Sequence, residues 1–152
     1  YGTYGTYAGG REKAPAAICR KIAEAKINNK KIIDVWGDGK QTRSFMFIDD
    51  CIKGIFKVFS SNYYRPINLG SSEKVSINDM INIIEKIASY KVKKKYQINK
   101  PKGVRGRSSD NKLLKKITKW EPRTKLSSGL ENTYKWIFEE LSQNTSKIKF
   151  TK

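Results

Sequence analysis

The residues of this chain that could do chemistry are cations set among glycines, and they fall in three clusters. Arg11, Glu12 and Lys13 follow Gly9-Gly10, and Lys21 lies further along the same predicted helix. Lys13 falls at the mouth of that helix, where free backbone N–H groups and the helix dipole already favour anions. A lysine there can grip a phosphate, or exchange a proton where burial and neighbouring cations disfavour the ammonium form. The plain alternative is a solvated first turn. In the second cluster, "WGDGKQTRSF", Gln41 and Arg43 alternate with Thr42 along a strand that leaves a tight turn, so both point to one face. The planar donor fork of arginine suits phosphate; the competing reading is an exposed strand edge with Arg43 paired to Asp49 or Asp50. The third cluster, "GVRGRSSDN", sets Arg105 and Arg107 beside Gly103 and Gly106, which allow a backbone to approach a ligand closely. Asp110 is expected to cap the helix that follows. Together the clusters suggest an anion-binding cleft assembled from distant segments.

What the composition excludes is equally specific. With no histidine among 152 residues, a histidine-based triad, metal site or general base is ruled out within this chain. Cys19 and Cys51 make neither a disulfide framework nor a metal cluster, and both are expected as buried thiols on helices. Thirty-two Lys and Arg against fourteen Asp and Glu give a formal charge of +18, which implies anionic ligands or partners. The lysines recur as Lys30-Lys31, Lys93 to Lys95 and Lys115-Lys116 near element ends, and most read as solvated surface. A basic nucleic-acid-binding module is the alternative from another class. It is not favoured, because the aromatics sit in apolar stripes and no nucleic-acid motif is present. No apolar run approaches the ~20 residues of a membrane span, and no signal peptide is visible. A cytoplasmic, reducing compartment is therefore expected, where the sequon Asn144-Thr145-Ser146 carries no weight.

The elements that must position the clusters are short strands between helices, with a hydrophobic fraction of 38% in a chain of one domain's length. Residues 1–10, rich in glycine and tyrosine, read as loop. A helix is predicted from about Glu12 to Asn28, with Pro15 in its first turn. Strands flank Gly37-Asp38-Gly39. Asp49 is expected to cap a helix to about Ser60 that carries Ile52, Ile55, Phe56 and Phe59 on one face. "RPINLGS" reads as a short buried strand, and Ser76 with Asp79 as a capping box for the next helix. A strand near Tyr96 to Ile98, a polar loop, a short helix with Leu113, Leu114 and Ile117, and a last helix opened by Ser127 and Ser128 complete the chain. Residues 143–152 read as a polar, disordered tail after a folded region 1–142. The class is α/β in the form of an α+β-like fragment, and no Gly-x-Gly-x-x-Gly follows a strand, so no dinucleotide fold is encoded here.

Four stretches, "GGREKAPAAICRK", "WGDGKQTRSFMFIDDC", "NLGSSEKVSINDM" and "GVRGRSSDNKLL", resemble the C-terminal part of the GDP-mannose 3,5-epimerases. These are extended short-chain dehydrogenases/reductases of the NAD-dependent epimerase/dehydratase group. The resemblance runs from residue 1 to about Glu140; "GGREKAPAA" is its most specific part, and the other motifs are shared more loosely with nucleotide-sugar epimerases and dehydratases. Family members carry Asn-Ile-Tyr-Gly just before this loop, so Tyr1-Gly2 is expected to lie mid-fold. The N-terminal Rossmann half, with the NAD site, the Tyr-x-x-x-Lys dyad and a catalytic cysteine, would then be absent from the chain. "YGTYGT" departs from the usual Tyr-Gly-Pro-Phe-Gly-Thr, and a few extra residues lengthen the segment between Lys21 and Trp36.

The resemblance implies binding of GDP-mannose and its conversion to GDP-L-galactose. NAD oxidises C4 to a ketone, protons are lost and regained at C3 and C5, and hydride returns to C4. Lys13 matches the family's acid/base lysine. Glu12 and Ala14 match positions lining the sugar, Lys21 matches a substrate contact, and Gln41, Thr42 and Arg43 match the strand that meets the nucleotide diphosphate. Arg107 matches the second phosphate-binding arginine, and Arg105 reads as structural. The expected partners are the missing Rossmann half and, for the full-length family, a second copy in a homodimer. The isolated chain is expected to be inactive, with an exposed apolar face where the Rossmann domain would meet it. The closest alternative is another extended epimerase or dehydratase acting on a different nucleotide sugar.

Overall fold

A computed structural model describes the backbone of residues 1–101 and 103–149, with side chains described as far as Gln143. Five helices and five short strands follow in order: α1 (Ala14–Ile27), β1 (Ile32–Trp36), β2 (Thr42–Ser44), α2 (Ile48–Phe59), β3 (Lys74–Ser76), α3 (Ile77–Ala88), β4 (Lys93–Gln97), β5 (Gly106–Arg107), α4 (Lys112–Thr118) and α5 (Leu126–Lys149). The core is made by α1, α3 and α5, which pack on one another. Their apolar residues recur at helical spacing, so Cys19 and Ile22, Met80, Ile81 and Ile84, and Leu130 and Ile137 are fully buried together. On β1 burial alternates, and Ile33 and Val35 close the core from the side.

The two strands flanking the Gly37-Asp38-Gly39 turn do not pair with each other. β1 runs parallel to β4, while β2 is antiparallel to β3 and parallel to β5. The turn therefore hands the chain from one sheet to another. Asn78 on α3 fixes it, donating from its amide to the Asp38 carbonyl at 3.2 Å while Tyr96 donates to its side-chain oxygen at 3.0 Å. The predicted cap of α3 forms: the Asp79 N–H donates to Ser76 Oγ at 3.0 Å, and that hydroxyl donates back to the Asp79 carboxylate at 2.6 Å.

Several expectations are corrected. The residue preceding α2 is Phe47, not Asp49, because Phe47 is buried edge-on against Tyr1 and the Ile48 N–H is already taken by the Tyr1 carbonyl. Asp49 lies in the first turn instead. The strand expected over "RPINLGS" does not form: Pro66 lacks a donor, and the Gly70 carbonyl is taken by the Asn111 amide rather than by a strand. β5, inside the stretch expected as polar loop, is a strand that the sequence did not announce. Cys51 is half-buried rather than buried, whereas Cys19 is fully enclosed. α5 continues to Lys149, so part of the stretch expected as tail holds a helical backbone; residues 150–152 lie outside the described residues.

The apolar face of α2 forms as the spacing predicts, yet it does not enter the core. Ile52, Ile55, Phe56 and Phe59 are 47%, 54%, 66% and 86% exposed. A stripe of this size left open is a surface made to be covered.

Candidate functional site: a cationic cleft along α1, β1 and β2

The three basic clusters come together along one cleft made of adjoining hollows. The first, about 450 Å³, lies between α1 and β1 and is lined by Glu12, Ala14, Ala17, Lys21, Asp34, Trp36 and Gln41. It shares Ala14, Trp36, Gln41 and Ile77 with a second hollow of about 490 Å³, which adds Lys13, Arg43 and Pro101. Arg43 and Ser44 continue into a third, about 400 Å³, completed by Asn68, Arg107 and Ser108. Lys21 thus stands toward one end, where a further hollow of about 550 Å³ opens beyond it, with Lys13 and Arg43 in the middle and Arg107 at the other end.

Secondary structure explains each placement. Lys13 is the residue preceding α1; its backbone is extended, its carbonyl accepts the first helical bond from Ala17 N–H at 2.9 Å, and its side chain is exposed. Lys21 lies on the α1 face turned to β1, where its ammonium donates to the Asp34 carbonyl at 2.7 Å. Burial, then the neighbouring Arg20 charge, lowers the Lys21 pKa below the usual lysine value, against the pull of Asp34, Glu12 and Glu24. Arg43 and Arg107 are register partners on parallel strands β2 and β5, so two guanidinium groups leave the same face of one small sheet. Gly106 makes that pairing possible, since a Cβ there would sit 3.0 Å from the Thr42 hydroxyl. The glycine makes room for a strand neighbour, a different use from the ligand approach expected of it.

Gln41 gives the cleft an acceptor. Its amide nitrogen donates to the Trp36 carbonyl at 3.2 Å, while Oε1 is buried without a hydrogen-bond partner. An unsatisfied buried acceptor costs about 1–3 kcal/mol, and a ligand hydroxyl or N–H would remove that cost. Glu12 is differently engaged: its carboxylate accepts from Arg20 at 3.0 Å and from the Gly10 N–H at 2.7 Å. Its pKa is lowered by its own backbone N–H first, then by the Arg20 hydrogen bond and the Gly10 N–H, against the opposing effect of burial.

Asp110, expected as a cap, accepts from the Lys112 N–H at 2.9 Å at the start of α4. Arg105 contributes its carbonyl to the Thr42 N–H at 3.0 Å. Asp50 spends its carboxylate on the Arg123 and Thr124 N–H groups at 3.0 and 2.7 Å. Among the described residues no cluster of metal-ligating side chains occurs. A dinucleotide finds no cradle either. The described strands that lead into helices, β2 into α2, β3 into α3 and β5 into α4, do so through Phe45–Phe47, Ser76-Ile77 and Ser108–Asn111, without a glycine-rich turn for a pyrophosphate.

A family model described as GDP-mannose 4,6 dehydratase matches residues 2–133, a stretch that contains every wall of this cleft. The chain belongs to that family. It is 46% identical over 149 residues to GDP-mannose 3,5-epimerase of Arabidopsis thaliana, covering 97% of this chain and 38% of the relative. The chain therefore spans well under half of the curated relative. UDP-glucuronic acid 4-epimerase of Bacillus cereus, solved with NAD, is 29% identical and superposes with a TM-score of 0.69, covering 82% of this chain and 37% of that one. UDP-glucose 4-epimerase of Thermotoga maritima, at 20% identity, covers 93% of this chain and 44% of its own with a TM-score of 0.83, and shows the shared fold.

The cleft is lined by Glu12, Lys13, Ala14, Lys21, Gln41, Arg43 and Arg107, all singled out by the sequence, while Thr42 turns its hydroxyl to Gly106. Among the lining residues that escaped that reading, two stand out. Trp36 lines the first two hollows, and Arg20 lies at the edge of the first. Arg20 left a faint signal, a carboxylate four residues on at Glu24 and another eight back at Glu12.

Proposed function

We propose that this chain is the substrate-binding and part-catalytic region of a GDP-mannose 3,5-epimerase. One observation carries the reading: in a chain 46% identical to such an enzyme, Arg43 and Arg107 stand in register on one sheet face, with Lys13 on the hollow that adjoins them. Paired arginine forks fit the two phosphates of a nucleoside diphosphate. Lys13 is placed to exchange protons at C3 or C5 of the hexose once an adjacent carbonyl acidifies those C–H bonds. Gln41 Oε1 accepts from a ligand hydroxyl or N–H, Glu12 and Ala14 line the wall, and Lys21 stands toward one end as a substrate contact.

NAD does not fit the residues of this chain, and its site is assigned to the part of the enzyme that the chain does not span. Lys13 is exposed, and a proton-transfer site must exclude water, so a second wall over the cleft is required. The open stripe on α2 supports a separate covering surface. Homodimerisation and a cytoplasmic location belong to the same reading. No described helix is long and apolar enough to cross a membrane.

Turnover tests the proposal: GDP-mannose and NAD are supplied to the chain alone, and to the chain mixed with the portion of the Arabidopsis relative that it does not span. UDP-glucuronate runs in parallel as the competing substrate. Epimerised GDP-mannose in the mixture only, lost in Lys13→Ala, is the expected result. Turnover of UDP-glucuronate but not GDP-mannose would move the chain to another nucleotide sugar.

A further inference from the structure

The loop that delivers Lys13 has no regular structure; the Tyr4 and Tyr7 rings pack on Trp136, and one guanidinium ties its later part, from Tyr7 to Glu12, to α1. Gly9 and Gly10 both have positive φ, 87° and 83°, and the space where their side chains would stand is open, so packing does not fix this bend. Arg20, nearly two turns into α1, reaches back over it. Its Nε donates to the Tyr7 carbonyl at 2.8 Å, and its Nη2 donates to Glu12 at 3.0 Å. Nη1 is shared between the two oxygens of Glu24 at 3.1 and 3.0 Å. Glu12 passes the restraint on by accepting from the Gly10 N–H at 2.7 Å. A helix-stabilising ion pair would need only Glu24; the contacts to Tyr7 and Glu12, thirteen and eight residues away in sequence, have no such purpose. The Arg20 and Glu12 side chains are only 20% and 10% exposed, so these bonds are shielded from the solvent that weakens surface ion pairs.

We propose that Arg20 is a positioning residue: by fixing Tyr7, Gly10 and Glu12 against α1, it sets the point from which Lys13 reaches into the cleft. The inference rests on the reading of Lys13 as a ligand-facing amine. The Glu12 carboxylate serves the ligand indirectly, as the strut between Arg20 and the glycine bend.

The test uses the whole chain and two readouts that need no turnover. One is amide exchange at Gly10; the other is labelling of Lys13 by an amine-reactive ester across pH, read by mass spectrometry with Lys112 as internal reference. Arg20→Ala should speed Gly10 exchange on the order of tenfold, the factor set by loss of one charge-assisted hydrogen bond. It should change the rate and pH profile of Lys13 labelling and leave Lys112 alone. Arg20→Lys, a point charge without the fork, should restore part of the effect, and Glu24→Ala, which removes only the helical pair, should leave both readouts near wild type. If Arg20→Ala does not fold, Glu12→Ala tests the same strut with Arg20 in place. Unchanged exchange and labelling in either folded variant overturn the proposal. In the reconstituted enzyme, Arg20→Ala should lower kcat with little change in KM and cost little further in a Lys13→Ala background; independent, multiplying losses would make Arg20 merely structural.

Discussion

Removing the Arg107 guanidinium should have effects of opposite sign on ligand binding and on the stability of the empty chain. Its register partner is Arg43, one parallel strand away, a spacing of about 4.8 Å between backbones. With the charged groups about one strand spacing apart in a watery cleft, their repulsion is about 0.9 kcal/mol before screening, and physiological salt removes a good part of it. Arg107→Ala should therefore stabilise the empty chain by a few tenths of a kcal/mol. A charge-assisted hydrogen bond contributes about 1.5–3 kcal/mol; discounted for the exposure of Arg107, a loss of roughly 1–2 kcal/mol remains, or about 5- to 30-fold in Kd. The assay pairs a GDP titration followed by NMR with urea unfolding in the absence of ligand. Arg107→Lys keeps the charge but not the fork and should fall between. An unfolding free energy lowered by more than about 1 kcal/mol, with GDP affinity unchanged, would refute the reasoning, because the arginine would then be serving the sheet.

Ile84 is fully buried on α3, so Ile84→Ala should cost about 2–5 kcal/mol, visible as a lower urea midpoint; a cost well under this would mean the core lies elsewhere. The Glu12 carboxyl is held below its ordinary 4.5, so its folded form binds its proton less readily than the unfolded chain does. That contribution is present above about pH 4.5 and is lost as pH falls through the lower folded value. Glu12→Gln should flatten the corresponding stretch of the stability–pH curve, and an unaltered acid limb would show that Glu12 adds nothing there. Phe56→Lys on the open face of α2 should leave stability within about 0.5 kcal/mol and reduce self-association by light scattering; a large loss of stability would show that the face is packed.

The helices were legible because their burial is periodic. Ile77, Met80, Ile81 and Ile84 declare α3 and its core face, and Ser76 with Asp79 declares where it begins. The same period on α2 gave the element and its apolar face but not that face's surroundings, since periodicity tells which residues share a face and not what lies against it. The strands were less legible. β5 is two residues long, and only its pairing with β2 makes it a strand, a fact that no local pattern encodes. "RPINLGS" shows the converse, a strand-like composition that nothing in the described chain pairs. Most cleft residues were visible as charges beside glycines. Arg20 was not, because its importance lies in two acceptors outside its own helix, Tyr7 and Glu12, rather than in its helical neighbour Glu24.

About a hundred residues of chain separate α1 from α5, its packing partner in the core. β1 likewise waits for β4, and β2 for β5. At ribosomal speeds of about 5–20 residues per second, α1 emerges on the order of ten seconds before its packing partner. Early in that interval Ile18, Ile22 and the α2 stripe are uncovered together. The α1–α3 packing and the β1–β4 pairing can form earlier, and the core is completed only when Leu130 and Ile137 arrive. A ribosome stalled anywhere before Leu126 would display a basic, greasy chain to the quality-control machinery of the cell.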